Sequence, residues 1–333
     1  MPKNLIEQTL KTVRTYSMLK PGDSVLIAVS GGPDSVFLVH ALTGLRNKLK
    51  LKDLSIVNLD HGLRGKESAE DSEFVKKLAC DTGLKFFYKS LKLKARSTKG
   101  LSMEEFAREE RYRFFREAAE KAGANVIATG HTIDDQAETV LMRVIKGSSL
   151  KGIVGIAPAR DDGDLKVIRP LIELEKAEIV RYLNDIGLLY RTDSTNFEPI
   201  YFRNIVRKEV IPFLEKYNPR LKRSLYSLAQ HLREDFDFIS EAKLRLKSGV
   251  SCKSKGERVV LKIKDIAVQP AAIQKEIFRD ALESSGGEVK RLSYRHWKEL
   301  ENLVRNKPKG CSVHLPGNIK AVKSASEIIF SAI

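Results

Sequence analysis

A chain of 333 residues that is 42% hydrophobic has apolar material for two domains, a large one and a small one, and no run approaches the roughly 20 apolar residues of a membrane-spanning helix. Its three cysteines, Cys80, Cys252 and Cys311, lie far apart in sequence and indicate neither a disulfide framework nor a Cys-x-x-Cys metal site. Lysine and arginine number 59 against 43 acids, a net charge of +16; such a surplus serves either solubility or a polyanionic partner, of which nucleic acid is the commonest.

The opening Met1-Pro2-Lys3-Asn4-Leu5 lacks the apolar stretch and cleavage site of a signal peptide, so a cytoplasmic protein without a membrane partner is the simplest expectation. A first helix is predicted over about Asn4 to Met18. The run Ser24-Val25-Leu26-Ile27-Ala28-Val29 reads as a buried parallel strand, and Ser35 to Leu42 as a helix. Between them stands Ser30-Gly31-Gly32-Pro33-Asp34-Ser35. A strand, a glycine turn and a helix N-terminus together make an anion site, because free backbone N–H groups converge there and the helix dipole favours negative charge. Gly31 and Gly32 let the backbone approach a phosphate with no Cβ in the way. Asp34 and Ser35 are placed to cap the helix, and Asp34 also to hold a divalent metal. A Walker-type loop would carry Gly-Lys-Ser/Thr here. An acid beside a polyphosphate makes most sense with Mg²⁺ between them.

Strands and helices continue to alternate, as in a doubly wound, mostly parallel α/β sheet. A strand over Leu54 to Leu59 ends in Asp60-His61-Gly62-Leu63-Arg64. A helix from about Ser68 to Asp81 stops at Gly83 and leads to a strand over Leu84 to Tyr88. Ser102-Met103-Glu104-Glu105 is a capping box that opens a helix closed by Gly123. The fourth strand, Asn125 to Thr129, ends at Gly130-His131. Ligands of such sheets bind beyond the carboxyl ends of the strands, so Ser30-Gly31-Gly32, Asp60-His61 and Gly130-His131 are expected to line one mouth. Val167 to Leu171 reads as an edge strand, followed by a helix from about Lys176 to Ile186. Pro212 and Pro219 bracket the end of a catalytic domain over residues 1–216. A charged helical linker covers 217–250, and a small α+β domain covers 251–333, with Leu315-Pro316-Gly317-Asn318 as a type II turn between two strands.

A second constellation is His131-Thr132-Ile133-Asp134-Asp135-Gln136-Ala137-Glu138-Thr139. On a helix, His131, Asp135 and Glu138 share one face, while Ile133, Ala137, Val140, Leu141 and Val144 gather on the other and are expected to pack on the sheet. An imidazole and two carboxylates at the mouth suit metal binding, the holding of a cationic amine, or acceptance of its proton. A solvated face would interleave lysine or arginine at i+4, and none precedes Arg143. Arg108 and Arg111 share a helix with Tyr112, and Arg203-Asn204 and Arg207 follow Asp193-Ser194-Thr195-Asn196. These arginines are either phosphate ligands or structural ion-pair partners, with Glu104 four residues before Arg108.

The loop Ser30 to Ser35 resembles the SGGxDS loop of the N-type ATP pyrophosphatases, or PP-loop enzymes. The segments Asp60 to Arg64, Glu104 to Tyr112, His131 to Thr139, Ile168 to Leu171, Asp193 to Asn196 and Arg203 to Arg207 narrow the resemblance to the tRNA(Ile)-lysidine synthetases. It is good over about 20–215 and looser beyond. It implies an adenine nucleotide α-hydrolase-like PP-loop domain and a two-step ligation that uses ATP and Mg²⁺. ATP adenylates the C2 oxygen of the wobble cytidine in an isoleucine tRNA with a CAU anticodon, and the side-chain amine of free L-lysine then displaces AMP. The product pairs with adenosine, so the codon read changes from AUG to AUA.

Under this resemblance Ser30, Gly31, Gly32, Pro33, Asp34 and Ser35 hold the pyrophosphate, with Asp60, His61, Gly130 and His131 completing the nucleotide site. Asp34 and Asp135 are the Mg²⁺ ligands. Asp34, Asp135 and Glu138 carry the catalysis, Asp135 as metal ligand or base and Glu138 as lysine binder. Arg108, Arg111, Thr139, Arg203, Asn204 and Arg207 bind substrate.

Three rivals share some of these features. A 2-thiocytidine-type tRNA thiolase would need sulfur-carrying cysteines, commonly as Cys-x-x-Cys pairs, and the three here are scattered. A glutamine-dependent amidotransferase would leave the basic charge unexplained, and a non-enzymatic RNA-binding module would leave the intact acidic loop unexplained. Oligomeric state is open from sequence, a homodimer included.

Overall fold

The protein is described by a computed structural model, which covers residues 4–60, 66–91, 103–191, 202–247, 252–255 and 258–333. The chain forms two units, Met1–Gln230 and His231–Ile333.

The first unit opens with α1 (Leu5–Thr15), capped by the Asn4 side chain accepting from the Glu7 N–H. Strand β1 (Ser24–Ala28) follows, then α2 (Pro33–Leu45), β2 (Asp53–Asp60), α3 (Lys66–Thr82), β3 (Lys85–Ser90), α4 (Met103–Ala122), β4 (Val126–Ala128) and α5 (Ile133–Ile145). The short α6 (Leu150–Ile153) leads to β5 (Ala159–Asp162), β6 (Leu165–Ile168) and α7 (Lys176–Asp185). The strands stand in the order β3-β2-β1-β4-β6-β5, all parallel except β5. Strand β1 lies between β2 and β4, so the chain winds in opposite directions from it. The crevice beyond β1 and β4 is therefore the topological switch point, where doubly wound sheets bind ligands.

Apolar continuity explains why β1 takes that place. Val25, Leu26 and Ile27 are all buried, with layers on both faces: Phe37, Leu38 and Leu42 of α2 join the core on one side. Tyr112, Phe115 and Ala119 of α4 join Leu26, Val57 and Ile127 on the other. Each large side chain taken wholly from water there contributes about 1.5–3 kcal/mol.

Two expectations need correction. The strand placed at the sheet edge is β6, but β5 covers it as an antiparallel outer strand, turned by Gly163 at φ +67°. The sequence Asp161-Asp162-Gly163-Asp164 is so acidic that it hid this hairpin, although Asp-Gly is a turn signal. The apolar face of α5 also meets a different neighbour. Ala137 packs with Val206 and Ile211 rather than on the sheet, and Val144 is 52% exposed. Those partners come from α8 (Phe202–Ile205), a π-helical turn over Val206–Val210, and α9 (Ile211–Glu215), a run that places Pro212 inside a helix.

The long α10 (Leu221–Lys247) carries the boundary between the units. The second unit comprises β7 (Cys252–Lys255), β8 (Arg258–Lys262), α11 (Ile263–Ala267), α12 (Ala271–Ser284), α13 (Tyr294–Arg305), β9 (Ser312–Leu315), β10 (Ile319–Lys323) and β11 (Glu327–Ala332). Its antiparallel sheet has the order β7-β8-β11-β10-β9. Phe278, Leu282, Trp297, Leu300, Leu303 and Phe330 form a core of its own. The turn between β9 and β10 holds Gly317 at φ +82°, as a type II turn requires, and Asn318 is also left-handed at φ +57°. Lys243, part of a basic run in the sequence, is paired with Asp280 at 2.9 Å.

Candidate active site

The loop after β1 is built by its own small residues. Gly31 sits at φ +90°, a conformation costly for any residue with a Cβ, and its carbonyl accepts from the Arg191 N–H at 2.9 Å. Gly32, rather than Asp34 or Ser35, is the N-cap of α2, and no side chain caps that end. Pro33 opens the helix and brings no N–H of its own. The buried Ser35 instead ties the loop: its hydroxyl donates to the Gly32 carbonyl at 2.9 Å and accepts from the Ser30 N–H at 3.2 Å. The helix end is thereby left to an anion.

Gly130 closes the other wall. A Cβ there would stand 3.2 Å from the Asp34 carbonyl carbon and 3.3 Å from the Ser35 nitrogen, so the β4 end and the α2 start touch backbone to backbone.

Asp34 points into this space with Oδ1 buried and without a hydrogen-bond partner. Lys176, the first residue of α7, approaches its Oδ2 at 3.7 Å. Burial pushes the Asp34 carboxyl up to about 7; Lys176 works against that, while Asp135 and Asp134 add to it. A buried carboxylate oxygen with nothing to accept from fits a hard cation. Mg²⁺ typically takes one or two protein carboxylates and completes its shell with phosphate oxygens and water.

Beside it lies a carboxylate–guanidinium cluster. Glu138 is only 2% exposed, and its oxygens accept from Arg203 Nε at 2.7 Å and Arg207 Nε at 2.5 Å. Arg203 Nη2 also reaches Asp135 Oδ1 at 2.9 Å. The other Asp135 oxygen accepts from the Thr132 N–H at 3.0 Å, which fixes the start of α5. Burial opposes ionisation of Asp135, but His131, Arg203, the Thr132 N–H and Arg207 hold its carboxyl below the usual range. The basic partners that the α5 face lacks within its own helix thus arrive from α8 and the π-helical turn.

His131 is corrected in position. It precedes the helix, whose N-cap is Thr132, and its Nδ1 lies 2.9 Å from the Thr129 hydroxyl. Burial pushes the imidazole down to about 4, with Asp135 opposing and Arg169, Arg203 and Arg108 adding to the effect. At neutral pH it is uncharged.

Among the remaining candidates, Asp60 ends β2 and accepts from the Ser90 hydroxyl at 3.1 Å. The Thr139 hydroxyl donates to the Asp135 carbonyl at 2.7 Å. Arg108 stacks over the Tyr112 ring at 5.1 Å, Arg111 lies on the same helix, and Asn204 lies on α8 beside Arg203. His61, the Ser102 cap and Asp193 to Asn196 lie outside the described residues.

Sequence reasoning missed four residues. Lys176 has no motif of its own. Asp134 accepts from the Lys176 N–H at 2.8 Å and pairs with Lys222 at 2.8 Å, which anchors α7 and α10 to the site. Arg160 and Arg169 join Arg108 around Tyr112; Arg169 stood inside the quoted Ile168 to Leu171 segment but carried no assigned role.

An uncapped glycine loop at the switch point of a parallel sheet, with a metal-ready carboxylate, defines a nucleotide-binding α/β domain, and residues 2–214 match the PP-loop domain family. The chain is 36% identical over 327 residues to the tRNA(Ile)-lysidine synthase of Caldanaerobacter subterraneus subsp. tengcongensis, covering 98% of this chain and 68% of that protein. Its identity to the enzyme of the same name from Geobacter sulfurreducens is 34%, covering 98% and 69%. The chain belongs to the tRNA(Ile)-lysidine synthase family, and the likeness runs through the second unit as well as the first. Among solved structures, the U34-tRNA thiolase NcsA from Methanococcus maripaludis shares the fold, with a TM-score of 0.58 at 21% identity over 69% of this chain and 78% of that one.

Proposed function

We propose that this chain joins free lysine to C2 of the wobble cytidine in an isoleucine tRNA with a CAU anticodon, at the expense of ATP. The family supports the reaction, and the single observation that carries the chemistry is the buried, unpartnered Asp34 oxygen at an uncapped helix N-terminus.

In the first step the C2 oxygen of the cytidine attacks the α-phosphorus, and pyrophosphate leaves. Negative charge builds on the departing phosphates, where the α2 N-terminus and Lys176 stand ready to stabilise it. Asp34, with Asp135 beside it, would hold Mg²⁺, which when bound supplies further charge neutralisation. In the second step the lysine amine forms the new C–N bond at C2, and the C2–O bond breaks to release AMP. A free lysine side chain has a pKa of about 10.4 and is protonated at neutral pH, so it must shed a proton to attack. Glu138 receives the ammonium in place of one of its guanidinium partners, and Asp135 takes the proton. Asp135 can accept it because its carboxyl is ionised, and the guanidinium that stays in place keeps the acids oriented. We assign Arg108, Arg111, Thr139 and Asn204 as substrate contacts, and Asp60 and Gly130 as bounds of the nucleotide site.

The test is incorporation of radiolabelled lysine into an isoleucine CAU tRNA transcript. Incorporation that requires ATP and Mg²⁺ and disappears in Asp34→Ala supports the reading. ATP-dependent release of AMP and pyrophosphate with some other RNA, and none with this one, rejects the substrate.

A further inference from the structure

We propose that Arg160, with Arg169 beneath it, binds a phosphate of the substrate RNA backbone at the outer rim of the strand mouth. The proposal rests on the reading of an RNA substrate and adds a site to it. Arg169 follows the last residue of β6 and is 3% exposed. Its Nη1 donates to the Ala157 carbonyl, its Nε has no hydrogen-bond partner, and no carboxylate among the described residues pairs with it. Arg160, on the outermost strand β5, lies 4.9 Å from the centre of the Tyr112 ring. Arg108 lies over the same ring at 5.1 Å. Among the described residues one carboxylate serves the group: Asp162 accepts from Arg160 at 3.2 Å and is shared with Arg116 at 2.9 Å.

Three guanidinium groups around one phenol, one of them buried without a counter-charge, is an arrangement that costs free energy until an anion arrives. The titration behaviour agrees. Burial, followed by Arg160 and Arg108, brings Arg169 down to about 10 against the opposing pull of Tyr112. Burial alone would push the Tyr112 phenol up, yet Arg108, Arg169 and Arg160 carry it below its usual value. A phosphate meets this need in full, since guanidinium groups match its oxygens in pairs. Arg160 is 35% exposed in its side chain and Arg108 is exposed, so the cluster opens to solvent.

Position favours RNA over ATP as the source. The nucleotide loop follows β1, whereas Arg169 and Arg160 belong to strands two and three places away in the sheet, roughly 10 and 14 Å at ordinary strand spacing. The phosphates of ATP are taken by the loop. An RNA that presents a base to the mouth carries its own backbone across the rim.

The experiment measures binding of the isoleucine CAU tRNA transcript to the full chain by filter binding across a potassium chloride series, with ATP binding followed by equilibrium dialysis on the same preparations. Arg160→Gln is the main variant because its side chain is partly solvated; Arg169→Gln is the second, with circular dichroism confirming the fold of each. The expected result is a roughly tenfold loss of tRNA affinity in Arg160→Gln, a salt slope smaller by about one, and unchanged ATP affinity. Unchanged tRNA affinity and slope in a folded Arg160→Gln overturns the site, as does a loss of ATP affinity with tRNA binding intact. Absence of tRNA binding by the unaltered chain overturns the RNA reading and this site together, a result distinguishable from failure of the site alone.

Discussion

At the scale of single residues, two carboxylates carry opposite electrostatic burdens. Asp34 is destabilised as an anion, with a carboxyl raised from 3.8 to about 7 chiefly by burial. Between those pH values the folded chain binds a proton that the unfolded chain has released, so stability falls as pH rises from about 4 to 7, and the penalty is complete above 7. Asp34→Asn removes it: the variant is expected to melt at a higher temperature than the parent at pH 8 and at the same temperature near pH 4, while losing pyrophosphate release. A melting series over pH checks this, and equal melting at pH 8 contradicts it. Glu138 is instead anchored by Arg203 and Arg207. Glu138→Gln withdraws the charge that both guanidinium groups share, which costs about 1–3 kcal/mol of stability and is expected to raise the lysine KM at least tenfold. A lower melting temperature with an unaltered lysine KM would reduce Glu138 to an anchor for the two arginines.

Elements matter here through where they touch. Gly130, just beyond β4, lies so close to the start of α2 that a Cβ would stand 3.2 Å from the Asp34 carbonyl carbon, a tight contact that the backbone must relax to accept. Gly130→Ala therefore moves the loop by a few tenths of an ångström, and ATP affinity is expected to fall several-fold with little change in melting temperature. Gly31→Ala acts differently, because φ +90° is itself strained for alanine. It should cost about 1–2 kcal/mol, seen as a lower melting temperature before any loss of affinity. Parallel binding and melting measurements on the two variants separate close contact from backbone strain. These two glycines also show what the sequence could carry. The loop, the five parallel strands and the α5 acids are local patterns, legible because the hydrophobic period and turn chemistry are written in neighbouring residues. Arg203 and Arg207 were visible as candidates, yet their choice between phosphate and carboxylate depended on a contact across 65 and 69 residues. Lys176 and the Arg160–Arg169–Tyr112 group were less legible still, since strand order alone brings them to the mouth.

For the whole molecule, two separate apolar cores imply two cooperative units. Phe330 is fully buried against Phe278 at 6.3 Å between ring centres, among residues drawn only from the second unit. Phe330→Ala should cost that unit about 3–5 kcal/mol and leave the core around Phe37 and Leu38 untouched. Calorimetry of the full chain is expected to show one transition shifted down and the other in place, with ATP affinity unchanged, because the loop, Asp34 and Gly130 all belong to the first unit. Affinity for the tRNA should fall at temperatures where the second unit has melted. A net charge of +16 must be spread over both units to hold a polyanion, and losing the folded surface of one removes its share of phosphate contacts. If tRNA affinity instead survived melting of the second unit, all of the RNA grip would reside with the nucleotide-binding domain. The basic surplus of the second unit would then serve solubility alone.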